Sequence, residues 1–188
     1  MADLGVETVA ETARLILRRE RPGDLETWLE HMNTPEVMGR IGGVRTDDEV
    51  AASFAKMAEG ELPYLFVALK SYGTLIGKCG LSRIAEEPSP AAIKGQVQAG
   101  WGLRADYWGQ GYAREAAEAI LAMAFEHFGC AIVFGQTSES NTPSWRLMQR
   151  LGMHRRAEFD YTDPDYPPED NPTMIWALDR AAWELARA

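Results

Sequence analysis

The chain of 188 residues is poor in cysteine and histidine: Cys79 and Cys130 are its only cysteines, and His31, His127 and His154 its only histidines. The cysteines stand far apart and none of these residues falls into a metal-ligand spacing. Neither a disulfide framework nor a metal site is expected, and free thiols in a cytoplasmic protein are the default reading. Long hydrophobic runs are also missing. Segments such as YLFVAL (64–69) fall far short of the ~20 apolar residues a membrane span needs, so no membrane partner is expected. MADLGVETVAETARLILRRERPG at the N-terminus lacks a basic start followed by an apolar core, so no secretory leader is expected. Positive charge is scarce too. Lys and Arg total 19 against 28 Asp and Glu, a formal charge of −9. Such a chain lacks the basic surface that neutralises phosphates, which argues against nucleic acid as a partner. The charge suits a cationic substrate such as an amine, and it also serves solubility.

What remains is an ordinary globular mix, 46% hydrophobic and 25% charged, sized for one well-packed domain. The expected organisation is a single domain over residues 1–188, with 1–12 a loose terminal segment. RLILR (14–18) has the apolar density of a first strand. Residues 22–33 carry Leu25, Trp28, Leu29 and Met32 at helical spacing. TDDEVAASFAKMAEGE (46–61) starts with Thr46 and, three residues on, Glu49, which is a capping box. MGRIGGVR (38–45) connects the two helices. Strands follow at 64–70, 74–84 and 96–103, then a helix at 113–129 with Ala117, Ile120, Leu121, Ala124 and Phe128 on one face and Gly129 as its C-cap. A strand at 131–137, a helix at 141–152 with Pro143 in its first turn, late strands in HRRAEFDYTD and TMIWALD, and a short helix in AAWELARA complete the order. This is an α/β (α+β) pattern with a mixed sheet, and the strand–helix–strand unit over 96–137 implies a crossover between parallel strands.

The segment YWGQGYAREA (107–116) lies between a strand and the strongest helix. Gly109 and Gly111 bring bare backbone close to the start of that helix, whose free amides and partial positive charge suit a phosphate. The turn is not a Rossmann fingerprint, because Arg114 stands where a third small residue is needed, and it is not a P-loop, because no Gly-Lys-Ser/Thr follows.

Three stretches together resemble the GNAT superfamily of acyl-CoA N-acyltransferases, and within it the branch of Rim-type ribosomal-protein N-terminal acetyltransferases. TARLILRRERPGD is similar to that branch's first strand and helix entry, AGWGLRADYWGQGYAREA to its acetyl-CoA motif, and SESNTPSWRLMQRLGM to its second cofactor segment, with Asn141, Ser144, Leu151 and Gly152 in place. Trp108 replaces the Gln or Arg of the general pattern, as is common in the Rim-type branch. The resemblance covers nearly the whole chain. It implies a single-domain GNAT fold with a mixed central sheet of about six to seven strands flanked by helices. It also implies acetyl-CoA as cosubstrate, no metal, and direct transfer of the acetyl group to a primary amine, either a protein N-terminus or a small molecule. A homodimer is compatible with it.

At the level of residues, the resemblance implies a diphosphate-binding loop formed by Gly109, Gln110, Gly111, Tyr112, Ala113 and Arg114. A splayed strand at 100–103 includes Gly102 and Leu103, and the Leu103 amide polarises the thioester carbonyl. Asn141 hydrogen-bonds the pantetheine arm, and Ser144 donates a proton to the departing thiolate. Read locally, Asn141 and Ser144 equally suit an ordinary helix start. Trp101, Trp108, Arg150 and His31 read as packing or surface residues. Gln98 stands where the branch often has Glu, and an amide cannot act as general base. Glu36 and Asp160 are the carboxylates to consider in its stead. A non-catalytic acyl-CoA-binding module, or transfer of another acyl group such as succinyl, stays open. The acidic stretch DYTDPDYPPEDNP (160–172) is a candidate guide for a cationic acceptor.

Overall fold

The structure is a computed structural model and describes residues 8–187. Its strands are β1 (Thr8–Glu11), β2 (Leu15–Arg18), β3 (Tyr64–Leu69), β4 (Leu75–Arg83), β5 (Val97–Leu103), β6 (Ile132–Thr137), β7 (His154–Arg155) and β8 (Met174–Asp179). They form one mixed sheet in the order β1-β2-β3-β4-β5-β6-β8-β7. The helices are α1 (Asp24–His31), α2 (Pro35–Met38), α3 (Asp47–Ala58), α4 (Tyr112–Glu126), α5 (Thr142–Arg150) and α6 (Arg180–Leu185). The expected class and element order hold, with one strand more than expected. Residues 1–7 of the segment expected to be loose lie outside the described residues. Thr8–Glu11 pair antiparallel with β2, which makes β1 the added strand.

Two compact units emerge, one from residues 1–80 and 101–119, the other from 81–100 and 120–188. In the first, α3 starts as its sequence dictates. The Glu49 amide donates to Thr46 Oγ1 at 3.3 Å, and Glu49 Oε2 accepts from the Thr46 amide at 2.8 Å, a reciprocal cap worth about 1 kcal/mol. Val50 and Phe54 of α3 and Phe66 and Leu75 of the sheet form a buried cluster, with Leu25, Trp28 and Leu29 of α1 packed against it. The entry to α1 is fixed by a buried bidentate pair. Arg18 Nη1 and Nη2 donate to Asp24 Oδ2 and Oδ1 at 2.6 and 2.8 Å, and the Arg21 amide donates to Asp24 Oδ2 at 2.7 Å. The connection between α1 and α3 holds the extra short helix α2, capped by the Thr34 side chain with Pro35 in its first turn.

In the second unit, β6 pairs antiparallel with β8 along its whole length, from Ile132↔Asp179 to Thr137↔Met174. Ile84, Ile93, Phe134, Ile175 and Ala177 form its core cluster. Ile120, Leu121 and Ala124 of α4 are buried as their spacing predicts, as is Ala117 in the part of the helix that belongs to the first unit, but Phe128 is 45% exposed. The helix ends at Glu126, and the chain leaves its core face before Phe128. The Cys130 amide reaches back to the Ala124 carbonyl at 3.1 Å across Gly129 at φ +64°, so the left-handed glycine turns the chain three residues after the helix has ended instead of capping it. HRRAEFDYTD departs most from expectation. Only His154–Arg155 form a strand, and Ala157–Phe159 make a 3-10 turn. Asp160 is the cause: its carboxylate grips the Arg155 guanidinium and accepts the Ile175 amide at 3.0 Å, which folds the segment back on itself.

Candidate active site

The first half of the expected site lies in the first unit, where β5 ends and α4 begins. The Arg104 amide donates to the Ile76 carbonyl of β4 at 2.9 Å. Neighbouring residues of a strand point their amides to opposite edges, so the Leu103 amide points to the other edge. There, Gln98 alone among the residues of β5 is in register with β6, opposite Phe134. The Leu103 side chain is buried and its carbonyl accepts the Trp108 indole N–H at 2.7 Å. Trp108, expected to be a packing residue, thus ties the strand end to the loop that follows. A Cβ built at Gly102 would meet nothing nearer than the Met32 methyl at 3.8 Å. Packing within the chain does not require glycine there, so a bare approach to the strand is left for something else.

Gly109 and Gly111 both adopt left-handed backbone, φ +72° and +82°, which side-chain-bearing residues rarely do. The first helical bond of α4 runs from the Glu115 amide to the Gly111 carbonyl at 3.1 Å. The amides of Tyr112, Ala113 and Arg114 therefore have no helical partner and face the loop with the positive end of the helix dipole. Gln110 is exposed and donates from Nε2 to the Asp106 carbonyl at 3.1 Å. Arg114 turns its guanidinium to Glu118 at 2.8 Å on the helix face. The same unit carries a cavity of about 500 Å³ lined by Glu30, His31, Thr34, Pro35, Glu36, Arg104, Ala105 and Asp106. Exposed Glu36 and the half-buried His31 both line it.

Asn141 and Ser144 lie in the second unit, at the start of α5. Asn141 occupies the N-cap position, but its side chain makes no capping hydrogen bond. The Ser144 amide donates to the Asn141 carbonyl at 3.1 Å. The local reading, in which Asn141 is there to cap the helix, does not hold, and its amide group is left for another partner. Asp160 is committed to Arg155 and the backbone. In the acidic stretch Asp170 is buried and accepts from Ser138 and Ser140, while Asn171 staples the loop through Asp163, Tyr166 and Pro167. Asp165 and Glu169 remain at its surface. Among the described residues no cluster of His, Cys, Asp and Glu could hold a metal ion, and no helix is long and apolar enough to cross a membrane. Burial raises both thiols above their usual range, Cys79 most, so neither is a ready thiolate at neutral pH.

A family model described as an acetyltransferase (GNAT) domain matches residues 14–154. The chain belongs to the GNAT acetyltransferase family. Within it, this GNAT chain is 29% identical over 150 residues to the uncharacterized N-acetyltransferase YnaD of Bacillus subtilis (strain 168), covering 79% of this chain and 84% of that protein. Solved structures share the fold. A GNAT-family acetyltransferase from Bacillus anthracis superposes with a TM-score of 0.73 at 24% identity, over 90% of this chain and 96% of the other. The aminoglycoside acetyltransferase AAC(6')-Ib, in complex with coenzyme A, superposes with a TM-score of 0.72 at 19% identity, over 93% of this chain and 99% of the other.

Proposed function

We propose that this GNAT chain is an acetyl-CoA-dependent N-acetyltransferase of the Rim-type branch, acting on a primary amine in a ternary complex. The observation that carries the reading is the Leu103–Arg114 segment. It holds a strand-end amide turned away from its β4 partner, a glycine turn with left-handed backbone at Gly109 and Gly111, and unpaired amides at the head of a long helix. In this reading the Leu103 amide serves the thioester carbonyl, the free edge of the strand over 100–103 the pantetheine arm, and the Gly109–Gly111 turn with the helix-head amides the diphosphate. Acetyl-CoA, when bound, supplies an acetyl carbon activated towards amines. Leu103 N–H stabilises negative charge growing on the carbonyl oxygen, Asn141 holds the pantetheine amide, and Ser144 returns a proton to sulfur as the thiolate leaves. The raised thiols of Cys79 and Cys130 favour direct attack by the amine over a thioester on the protein. Holding both substrates in place supplies most of the acceleration. Asp160 is spent on Arg155, so of the two carboxylates considered in place of Gln98 it is Glu36, which lines the cavity, that is left to assist deprotonation.

Gln98 favours a second reading, a binding module without turnover. Thiol release from acetyl-CoA across a panel of amines separates the two, since CoA binding with no release from any amine overturns the enzymatic reading. Two substitutions test the residues. Gly111→Val forces a branched residue to φ +82° and places its Cβ 3.4 Å from Arg14 Nη2. CoA affinity should fall by at least about tenfold with the fold intact, and unchanged affinity removes the loop from the site. Ser144→Ala should lower kcat by roughly a hundredfold with little change in CoA affinity. Wild-type kcat across pH would reduce Ser144 to a helix-start residue.

A further inference from the structure

An N-terminal segment grips the head of α4 from about a hundred residues away in sequence. The Arg14 amide donates to Glu115 Oε1 at 2.8 Å and Arg14 Nε to Oε2 at 2.6 Å, while the Thr12 hydroxyl donates to Oε1 at 2.5 Å. Arg14 Nη1 donates to the Gln110 carbonyl at 3.0 Å, and the guanidinium lies 4.3 Å from the centre of the Tyr112 ring. Nη2, beside Gly111, has no hydrogen-bond acceptor among the described residues, and the side chain is 47% exposed. One guanidinium therefore holds the middle residue of the glycine turn, the first-turn carboxylate and the ring of Tyr112, with one N–H₂ left over.

Glu115 makes the arrangement informative. A carboxylate in the first turn favours an isolated helix, because it offsets the dipole, but it repels any anion bound at that helix head. Here the carboxylate is turned onto Thr12 and Arg14 and mostly buried. Burial alone would raise its pKa, yet the hydrogen bonds from Thr12 and Arg14 outweigh this and hold it below the usual carboxylate range. Glu115 is thus fixed as an anion, and Arg14 is the group that neutralises it.

We propose that Arg14 is the positioning residue of the cofactor loop: it sets the Gly109–Gly111 turn through the Gln110 carbonyl, cancels the charge of Glu115, and presents Nη2 to the diphosphate of the bound acyl-CoA. This rests on the cofactor assignment made above for the same loop. Removing Arg14 would have two effects, loss of a charge-assisted donor and release of an uncompensated carboxylate beside the diphosphate.

Calorimetric titration with CoA, with dephospho-CoA, which keeps the diphosphate but lacks the 3′-phosphate, and with pantetheine, which has no phosphate, tests this. Arg14→Met should weaken CoA and dephospho-CoA alike, by about tenfold or more, and leave pantetheine within about twofold. Adding Glu115→Gln to Arg14→Met should recover part of the loss. Arg14→Lys keeps the charge but not the fork, and should fall between wild type and Arg14→Met. Equal losses for all three ligands would make Arg14 a mere brace of the fold, and loss confined to CoA would move the contact to the 3′-phosphate; either result overturns the proposal. Wild-type protein that binds none of the three would overturn the cofactor assignment itself, and the proposal with it.

Discussion

Gly77→Ala is expected to cost at least about 3 kcal/mol of stability, because the methyl group has nowhere to go. A Cβ built on Gly77 would lie 2.1 Å from the Gly102 carbonyl oxygen, 2.6 Å from Leu103 Cδ2 and 2.9 Å from Leu103 Cα. Two of those three atoms are backbone, so no change of rotamer relieves the overlap. Gly77 is also held from behind, paired with Val67 of β3, while the neighbouring Ile76 carbonyl accepts the Arg104 amide. The strain must therefore push the end of β5, the segment whose Leu103 amide the mechanism uses. For a chain of this size the melting temperature should drop by roughly 6–12 °C. The surviving folded fraction should bind CoA more weakly, since Leu103 and Trp108 move together through the indole bond to the Leu103 carbonyl. A calorimetric scan and a CoA titration read both. A variant that melts like wild type would mean that the contact between β4 and β5 is looser than the geometry describes.

That contact shows what a sequence can and cannot disclose. GKCGL reads as a strand that carries glycines, but not which backbone crosses over Gly77, because the partner lies 25 residues on and is itself a glycine. Signals that act locally were legible. The Thr46–Glu49 box and the Gly109–Gly111 turn before α4 depend on neighbours a few residues away, and each appears as read, whereas Gly129 turns the chain only after the helix has already ended at Glu126. The short strand β1 was not legible, since TVAE has little apolar character and is a strand only because β2 offers it an edge. The break after Arg155 was hidden for the same reason: it depends on Asp160 meeting both a guanidinium and the amide of Ile175 on another strand. In the site, the glycine loop was visible from its spacing, whereas its clamp, Arg14 on Glu115, joins residues 101 apart and left no pattern. Thr34-Pro35 was a helix-start signal of the ordinary kind, and the glycines of the MGRIGGVR connection that follows masked it.

Lys78 is the residue whose placement departs furthest from its chemistry, and its removal should stabilise the protein. Alternation along β4 puts it opposite Gly77 and Cys79, under α1 and α3, where it is 5% exposed. Its ammonium lies 3.8 Å from the centre of the Trp28 ring, 3.9 Å from Phe54 and 5.4 Å from Phe66, with Met57 Sδ at 3.5 Å. Ring faces attract the charged form, but they replace water poorly. Burial pushes the pKa down to about 7, against the more distant pull of Glu20 and Asp24. The unfolded chain titrates at about 10.4, which fixes the sign. Below about pH 7 both states are protonated and the folded state carries the whole cost of a buried charge. Between about 7 and 10.4 the unfolded state binds more protons, so stability rises with pH; above that range both are neutral and the cost is gone. The shift of about three units corresponds to roughly 3–4 kcal/mol once the rings' attraction is allowed for. Lys78→Met keeps the length and apolar stem of the side chain and discards the charge. It should therefore be more stable than wild type by about that amount at pH 6.5 and nearly equal to it at pH 10. Urea midpoints of both proteins across this range measure the gap. The difference, rather than either curve alone, is the readout, because burial raises Tyr64 and Cys79 in both proteins, and their titration lowers stability at high pH in both. Parallel curves with a constant gap would mean that Lys78 is charged throughout and that the three rings, not deprotonation, accommodate it.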